Sequence, residues 1–360
     1  MGRWIRFKNF LRQCDKTRRR STRRFEILIY WLLGHINPAT ELQWPPSEIH
    51  SILVLRNNKR LGNITFLIPF LHDLIQRYPK AQIELIIPLP WQQQIIDHFG
   101  IEVHISQISF RHLWKTLRLI YQLKHRTYDM IIMPFSSSTD AILAALLRSR
   151  YKIAFYHPYR HFIFNHNIET QQRALHSAYS ALALWDKNLL KGNYRLKFSP
   201  TEQQRIQKLQ CQLHSTHQYR IGFFRGARGE KVISDPTWKL LIEHVNQKIP
   251  TIQWIEILHP GEKTAPLAVK GLQTIKTYCI RELAMQMAAF DLFISGDTGP
   301  LHLADAADAF CLGLFTQTDP CIYGCIGEHG FNLDLRQGID EQRISQIVIS
   351  WLTLHSHHVA

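Results

Sequence analysis

Short, nearly continuous apolar runs alternate with amphipathic stretches along most of the chain. The first half holds four such runs: Ser51-Ile52-Leu53-Val54-Leu55-Arg56, Ile83 to Ile87, Ile101 to Ile105 and Tyr128 to Pro134. Strands buried on both faces of a parallel sheet are apolar at successive positions, not at alternate ones. The polar stretch Asn57 to Gly62 reads as a loop. Helical periodicity follows to Tyr78, again around 113–124, and from Asp140 to Leu147. Strands alternating with helices imply parallel βαβ units.

The alternation pauses across a stretch that reads as one long helix, about Glu169 to Leu190, and a polar segment, 199–217. It then restarts. Tyr219 to Phe224 predicts a strand, followed by a Gly-rich basic loop, a helix over 238–247 and a strand over 252–258. A further strand is expected over 274–278, a helix over 281–289, strands over 290–294 and 310–315, and helices over 301–309 and 344–354. Two βα halves predict an α/β protein with two nucleotide-binding-type domains facing a cleft. The expected divisions are an extension over 1–45, a first domain over 46–198, a second over 199–335, and a terminal helix over 336–360.

Composition narrows the class. At 360 residues the chain can bury two cores, and 45% hydrophobic with 20% charged residues is ordinary for a soluble globular protein. The apolar run Ile27 to Leu33 is too short to span a bilayer, and no small-residue cleavage site follows it. Six cysteines lack paired zinc-ligand spacing, so reduced thiols and no metal are expected. No Gly-x-Gly-x-x-Gly follows a strand, which disfavours a dinucleotide oxidoreductase.

Charge is uneven. Of the formal net charge of +15, a surplus of nine lies in residues 1–24, where only Asp15 opposes the cations. Trp4, Phe7, Phe10 and Leu11 recur at helix-like spacing among them. Residues 1–33 therefore suit an anionic membrane surface. A solvated basic tail or a nucleic-acid arm has similar composition, but no nucleic-acid module follows, and no such partner is expected.

The chemistry concentrates at Ile294-Ser295-Gly296-Asp297-Thr298-Gly299-Pro300-Leu301-His302-Leu303-Ala304. A strand that feeds a Gly-bearing turn and opens a helix brings free N–H groups and the positive helix end to one place. That place suits an anion, most naturally a phosphate. Pro300 fits the first turn because it has no N–H to lose. A plain capped βα turn would need no His302, nor the run Leu314-Phe315-Thr316-Gln317-Thr318-Asp319-Pro320 downstream.

These residues resemble the lipopolysaccharide heptosyltransferases, glycosyltransferase family 9. Met285 to Pro320 is similar to that family's donor signature. Ile52 to Ile87, with Leu61-Gly62, Pro69, Leu74 and Pro79, is similar to its opening βαβ unit. The resemblance implies a GT-B fold of two Rossmann-like domains. It implies an inverting, metal-independent transferase without a cofactor, moving heptose from a nucleotide sugar, usually ADP-heptose, to a lipid-linked core oligosaccharide. The place implied is the cytoplasmic face of an inner membrane. Thr298, Gly299 and His302 would meet the diphosphate and Asp297 the sugar, with Pro300 and Gly226 in the donor loops. Lys231, in Arg225-Gly226-Ala227-Arg228-Gly229-Glu230-Lys231, matches the donor-phosphate lysine, and Glu262 a ribose ligand. Without a metal, the departing diphosphate needs fixed positive charge of this kind.

One departure stands out. The family places an Asp, its proposed base, directly after Leu-Gly, and this chain has Leu61-Gly62-Asn63. An amide accepts no proton at neutral pH, so help of typically ~10²–10⁴-fold is missing there. Another group, with Asp140, His72 and Asp73 as candidates, supplies the base; or the enzyme is slow; or the protein is a non-catalytic relative that binds the sugar nucleotide or lipopolysaccharide. A GT-B transferase for a different nucleotide sugar is the competing enzyme.

Overall fold

A computed structural model describes residues 27–28, 30–32, 49–106, 113–169, 176–186, 191–213, 219–227, 229–261 and 264–355. The first elements are β1 (Ser51–Leu55), α1 (Leu61–Thr65), α2 (Ile68–Arg77), β2 (Gln82–Ile87), α3 (Gln93–Ile96) and β3 (Glu102–Ile105). Then come α4 (Leu113–Lys124), β4 (Tyr128–Met133), α5 (Ser138–Leu146), β5 (Ser149–Phe155), β6 (His166–Ile168) and α6 (Pro200–Leu213). The rest is β7 (Tyr219–Phe224), α7 (Asp235–Lys248), β8 (Ile252–Ile257), β9 (Gln273–Ile275), α8 (Ile280–Ala288) and β10 (Leu292–Gly296). It ends with α9 (Gly299–Ala306), β11 (Cys311–Phe315), α10 (Pro320–Tyr323), β12 (Gly330–Asp334) and α11 (Glu341–His355).

Two six-stranded sheets result, in the orders β3-β2-β1-β4-β5-β6 and β12-β11-β10-β7-β8-β9. Both are parallel throughout. Numbered within its own half, each sheet has the doubly wound order 3-2-1-4-5-6. The order reverses between β1 and β4 in one sheet and between β7 and β10 in the other.

In the first sheet, Leu53, Leu55, Ile131, Met133 and Ala154 form a core with Leu119 and Leu123 of α4 and Ala141, Leu143 and Ala144 of α5. Tyr30 joins this core and donates its hydroxyl proton to Ser138 O at 3.1 Å. Glu84, buried on β2, accepts from Tyr128 Oη (2.7 Å), Arg126 (2.6 Å) and His104 Nε2 (2.7 Å). Burial alone would raise its pKa; the three bonds hold it below the usual range. In the second sheet, Phe223 and Ile294 pack with Trp238, Leu241 and Ile242 of α7 and Ile344, Val348 and Leu352 of α11. Trp238 stacks on Phe223 with ring centres 5.1 Å apart.

Contacts do not divide the chain at a single point near 198. One compact unit holds the described residues of Met1–Asn57, Ile75–Pro88 and Ile101–Gln171; the other holds Asn58–Leu74, Leu89–Gly100 and Gln172–Ala360. The segments around α1 and α3 belong to the second unit because their side chains and backbone are bonded there. The basic extension lies outside the described residues up to Ile27, and residues 27, 28 and 30–32 are helical.

Several expectations change. Leu61 and Gly62 open a helix instead of ending a loop. Of the long helix expected over 169–190, residues 176–186 form turns and a 3₁₀ segment, Ser180–Leu184. The polar segment after it contains a helix, α6, whose Glu, Gln and Arg residues favour helix without presenting an apolar stripe. Strands β5, β6 and β12 were not expected.

Arg281, buried on α8, ties three segments of the second unit together. It donates to both oxygens of Glu202 on α6 at 2.7 and 2.8 Å, and its guanidinium lies 4.6 Å over the Phe198 ring. Its backbone N–H donates to Gln94 Oε1 at 3.1 Å. The Arg281 bond, outweighing burial, lowers the Glu202 pKa to about 2. Arg281→Ala is expected to lower stability by roughly 3 kcal/mol, measured by urea unfolding. Arg281→Lys should recover less than half of that, since one ammonium does not replace the fork. A carboxylate depressed in the folded state stabilises above its unfolded pKa, so this contribution should be lost as pH falls from about 4.5 to about 2.

Candidate functional site

The carboxyl ends of β7 and β10 lead into Arg225 and Asp297 at the point where the second sheet reverses order. Ligands of open α/β sheets bind at such reversals. Ser295 Oγ donates to Phe224 O at 2.9 Å, joining the two strand ends, and lies 2.9 Å from Thr298 Oγ1. Thr298 is extended and caps α9, its hydroxyl oxygen accepting the Leu301 N–H. Gly299 and Pro300 form the first turn, as the sequence pattern predicts.

Asp297 gathers donors from three elements. His302 Nε2 lies 3.2 Å from Oδ1, Thr318 Oγ1 donates to Oδ2 at 2.7 Å, and the Lys231 ammonium also donates to Oδ2. Burial alone would raise the Asp297 pKa. The bonds from His302, Lys231 and Thr318 reverse that and hold the carboxyl well below the usual range. Both oxygens are thus occupied by protein donors.

His302 is 4% exposed rather than open to solvent. Its ring lies 4.5 Å from the Phe66 ring, and a Cβ at Gly62 would stand 2.7 Å from its Cδ2. Reciprocally, a Cβ at Gly299 would meet Leu61 Cβ at 2.7 Å. Two glycines therefore let α1 lie against the start of α9. The Leu61-Gly62 pair serves this approach, and Asn63 follows it half-buried in α1.

The basic loop is anchored from below. Arg225 Nε donates to Glu256 Oε1 at 2.5 Å and its NH1 to Asp235 Oδ1 at 2.8 Å, while NH2 bonds the Ala265 carbonyl. Glu256, fully buried on β8, also accepts the Leu267 N–H at 2.7 Å. Gly226 follows with no room for a side chain against the Phe224 ring. Gly229 has φ +68°, the left-handed turn that brings Lys231 round to Asp297. Glu262 lies outside the described residues.

Sequence reasoning gave no individual role to Thr318, Glu256 or Asp305. Asp305, 2% exposed on α9, accepts from the Ile326 and Gly327 N–H groups at 2.8 and 3.0 Å. Burial raises its pKa to about 6. Its carboxylate and the thiols of Cys311 and Cys325 lie within 4.8 Å of one another. A charged residue inside the apolar run 252–258 was the available signal for Glu256; Thr318 and Asp305 offered none.

Of the candidate bases, His72 Nε2 lies 2.8 Å from Arg195 O, and burial lowers its pKa. Asp140 belongs to the first unit, where both its oxygens accept the Asn57 N–H at 3.1 and 3.2 Å. It is 1% exposed, and burial raises its pKa to about 6.

The family model for glycosyltransferase family 9 (heptosyltransferase) matches residues 116–338. The chain belongs to glycosyltransferase family 9. It is a glycosyltransferase, and the matched residues include Lys231, Asp297, His302 and Thr318 but not Leu61-Gly62-Asn63. Solved structures agree on the GT-B fold. A family 9 glycosyl transferase from Veillonella parvula covers 88% of this chain and 99% of its own, at 15% identity and TM-score 0.71. E. coli ADP-heptose lps heptosyltransferase II covers 85% and 99%, at 16% identity and TM-score 0.67. E. coli heptosyltransferase WaaC with ADP covers 84% and 99%, at 16% identity and TM-score 0.66. No curated protein sequence matches the chain.

In this glycosyltransferase, Gly62→Ala is expected to displace the His302 ring and lower stability by about 1–3 kcal/mol. The same substitution should perturb the His302 imidazole signals in NMR spectra, since the added methyl meets that ring first.

Proposed function

We propose that this glycosyltransferase moves a heptose from a nucleotide sugar, in its ADP form, to a lipopolysaccharide core acceptor, with inversion and without a metal. The observation that carries this is the convergence of Lys231, His302 and Thr318 on Asp297 at the start of α9, beside the switch point of the second sheet. Lys231, with donor capacity beyond its bond to Asp297, meets the diphosphate together with the Gly299 N–H and the α9 helix end. Because its oxygens are occupied, Asp297 is a positioning residue for Lys231 and His302, in preference to the sugar contact that the resemblance implies. Thr298, Gly226 and Pro300 shape the pocket, with Glu262 on the ribose. Related solved proteins support the donor class, since WaaC is described with ADP and with ADP-2-deoxy-2-fluoro heptose.

In the reaction, the acceptor oxygen bonds to the anomeric carbon. The bond from that carbon to the phosphate oxygen breaks, and its electron pair leaves with the diphosphate. The acceptor proton passes to a base. Asn63 stands at the family position and takes no proton, so another group takes it, with Asp140, His72 and Asp73 as the candidates. On this proposal, the second unit is the donor domain and the first unit the acceptor domain.

Calorimetry with ADP tests the donor site. Lys231→Ala is expected to weaken binding at least tenfold; unchanged affinity would refute the phosphate role. With a core oligosaccharide acceptor and ADP-heptose, transfer by the wild type is expected. If neither the wild type nor Asn63→Asp transfers, the chain is a binding relative.

Among the described residues, no helix is long and apolar enough to cross a membrane. Attachment is assigned to the basic aromatic stretch over 1–33, at the cytoplasmic face of the inner membrane. Leu28, Trp31 and Leu32 are exposed at 58%, 52% and 52%, while Tyr30 is anchored in the first core, which supports a lipid-facing edge there. Deleting residues 1–35 should release the protein from vesicles containing phosphatidylglycerol in a sedimentation assay, and equal partitioning would exclude the arm.

A further inference from the structure

The fold brings together three ligand-type side chains whose spacing along the chain shows no metal motif. Asp305 lies in the last turn of α9, Cys311 opens β11, and Cys325 follows α10. One carboxylate oxygen and the two sulphurs lie within 4.8 Å of one another. The three residues are 2%, 0% and 6% exposed. Glycines in the loop after α10 make this closeness possible. A Cβ at Gly327 would stand 2.6 Å from Asp305 Oδ1, and one at Gly330 would stand 2.5 Å from the Cys325 Cβ. Pairing of Cys311 with Gly330 between β11 and β12 sets Cys311 beside the same turn.

Asp305 has no lysine or arginine partner among the described residues. The electrostatic influence of His302 favours its charge, and that of Asp308 opposes it. The Ile326 and Gly327 N–H groups take one acceptor position on each carboxylate oxygen and leave a second. A buried carboxylate is ordinarily paired or bound to a metal ion. Two sulphurs and a carboxylate suit zinc and other thiophilic divalent cations, whereas magnesium and calcium take oxygen ligands. At metal–ligand distances of about 2.0–2.3 Å, tetrahedral ligands stand roughly 3.5–4 Å apart, so the cluster closes on an ion through shifts of about 1 Å. A cavity of about 850 Å³ near the amino ends of β10, β11 and β12 is lined by Cys311, Glu328 and His329 among apolar side chains. It gives a cation an entry path to the cluster and gives a water room at the fourth position.

We infer that Asp305, Cys311 and Cys325 form a binding site for a thiophilic divalent cation of the zinc class. On binding, each thiol releases its proton to solvent, and the two thiolates and one carboxylate oxygen bond to the ion. No redox change is involved. The ion braces the end of α9 against β11 and the turn after α10. It stands at the opposite end of α9 from Gly299, so it takes no part in the transfer, and the inference does not rest on the donor assignment.

Titration of the full chain with Co²⁺, after reduction and dialysis against a chelator, tests this. A thiolate-to-cobalt charge-transfer absorption is expected to saturate at one equivalent and to disappear when Zn²⁺ is added. Cys311→Ser and Cys325→Ser should each weaken Co²⁺ binding at least tenfold and remove most of the absorption. Cys321→Ser, at an exposed thiol on α10, should retain both. Lys231→Ala should leave the titration unchanged, so this site and the ADP site fail separately. Zn²⁺ should raise the thermal midpoint of the wild type but not that of Cys325→Ser. A missing absorption, one that survives both serine variants, or equal competition by Mg²⁺ would overturn the site. If the serine variants fail to fold, the wild type decides: Co²⁺ without the absorption, or Zn²⁺ without a rise in midpoint, overturns the inference.

Discussion

Asp297 is a negative charge at the end of a buried strand, and such a charge stays there only if donors surround it. Lys231 comes from the loop after β7, Thr318 from the loop after β11, and His302 from the first turn of α9. Two loops and a helix turn are thereby placed by one carboxylate. Remove the charge, and Lys231 loses the contact that draws it to the strand ends, while His302 keeps only its packing against Gly62 and Phe66. Hydrogen bonds to ionised groups are worth about 1.5–3 kcal/mol each, enough to fix a loop in one arrangement.

A second layer supports this arrangement. Glu256 holds Arg225 at the base of the basic loop, and Asp305 holds the backbone at Ile326 and Gly327 beyond α10. His176, neutral because burial lowers its pKa to about 4, accepts the Ala178 N–H at Nδ1, with Nε2 at 3.0 Å from Gly324 O. None of these groups need touch a ligand. Each removes a way for a loop around Asp297 to relax, and pre-organised donors are what electrostatic stabilisation of a leaving group requires.

The parallel strands were legible because burial on both faces leaves continuous apolar runs, as in Leu53-Val54-Leu55 and Leu292-Phe293-Ile294. Strands that broke this rule escaped. β5 carries Arg150 and Lys152, and β12, at the sheet edge, carries Asn332 and Asp334. The five-residue helix α1 is too short to show a period, so Leu61-Gly62 looked like a loop. The turn Asp297-Thr298-Gly299-Pro300 was readable because caps and helix starts use local chemistry. The burial of His302 was not, since it depends on Gly62 more than 200 residues away in sequence. Pairing between distant residues leaves no periodic trace.

At the reversal of the second sheet, both Asp297 oxygens are already bonded by protein donors, so the carboxylate needs no ligand to hold Lys231, His302 and Thr318 in place. At the reversal of the first, both Asp140 oxygens accept the Asn57 N–H, and Arg160 donates to Ser136 Oγ. A doubly wound sheet leaves a crevice at each reversal, and the side chains there decide what enters. Donors already fixed around one carboxylate are pre-organised for charge that develops beside them.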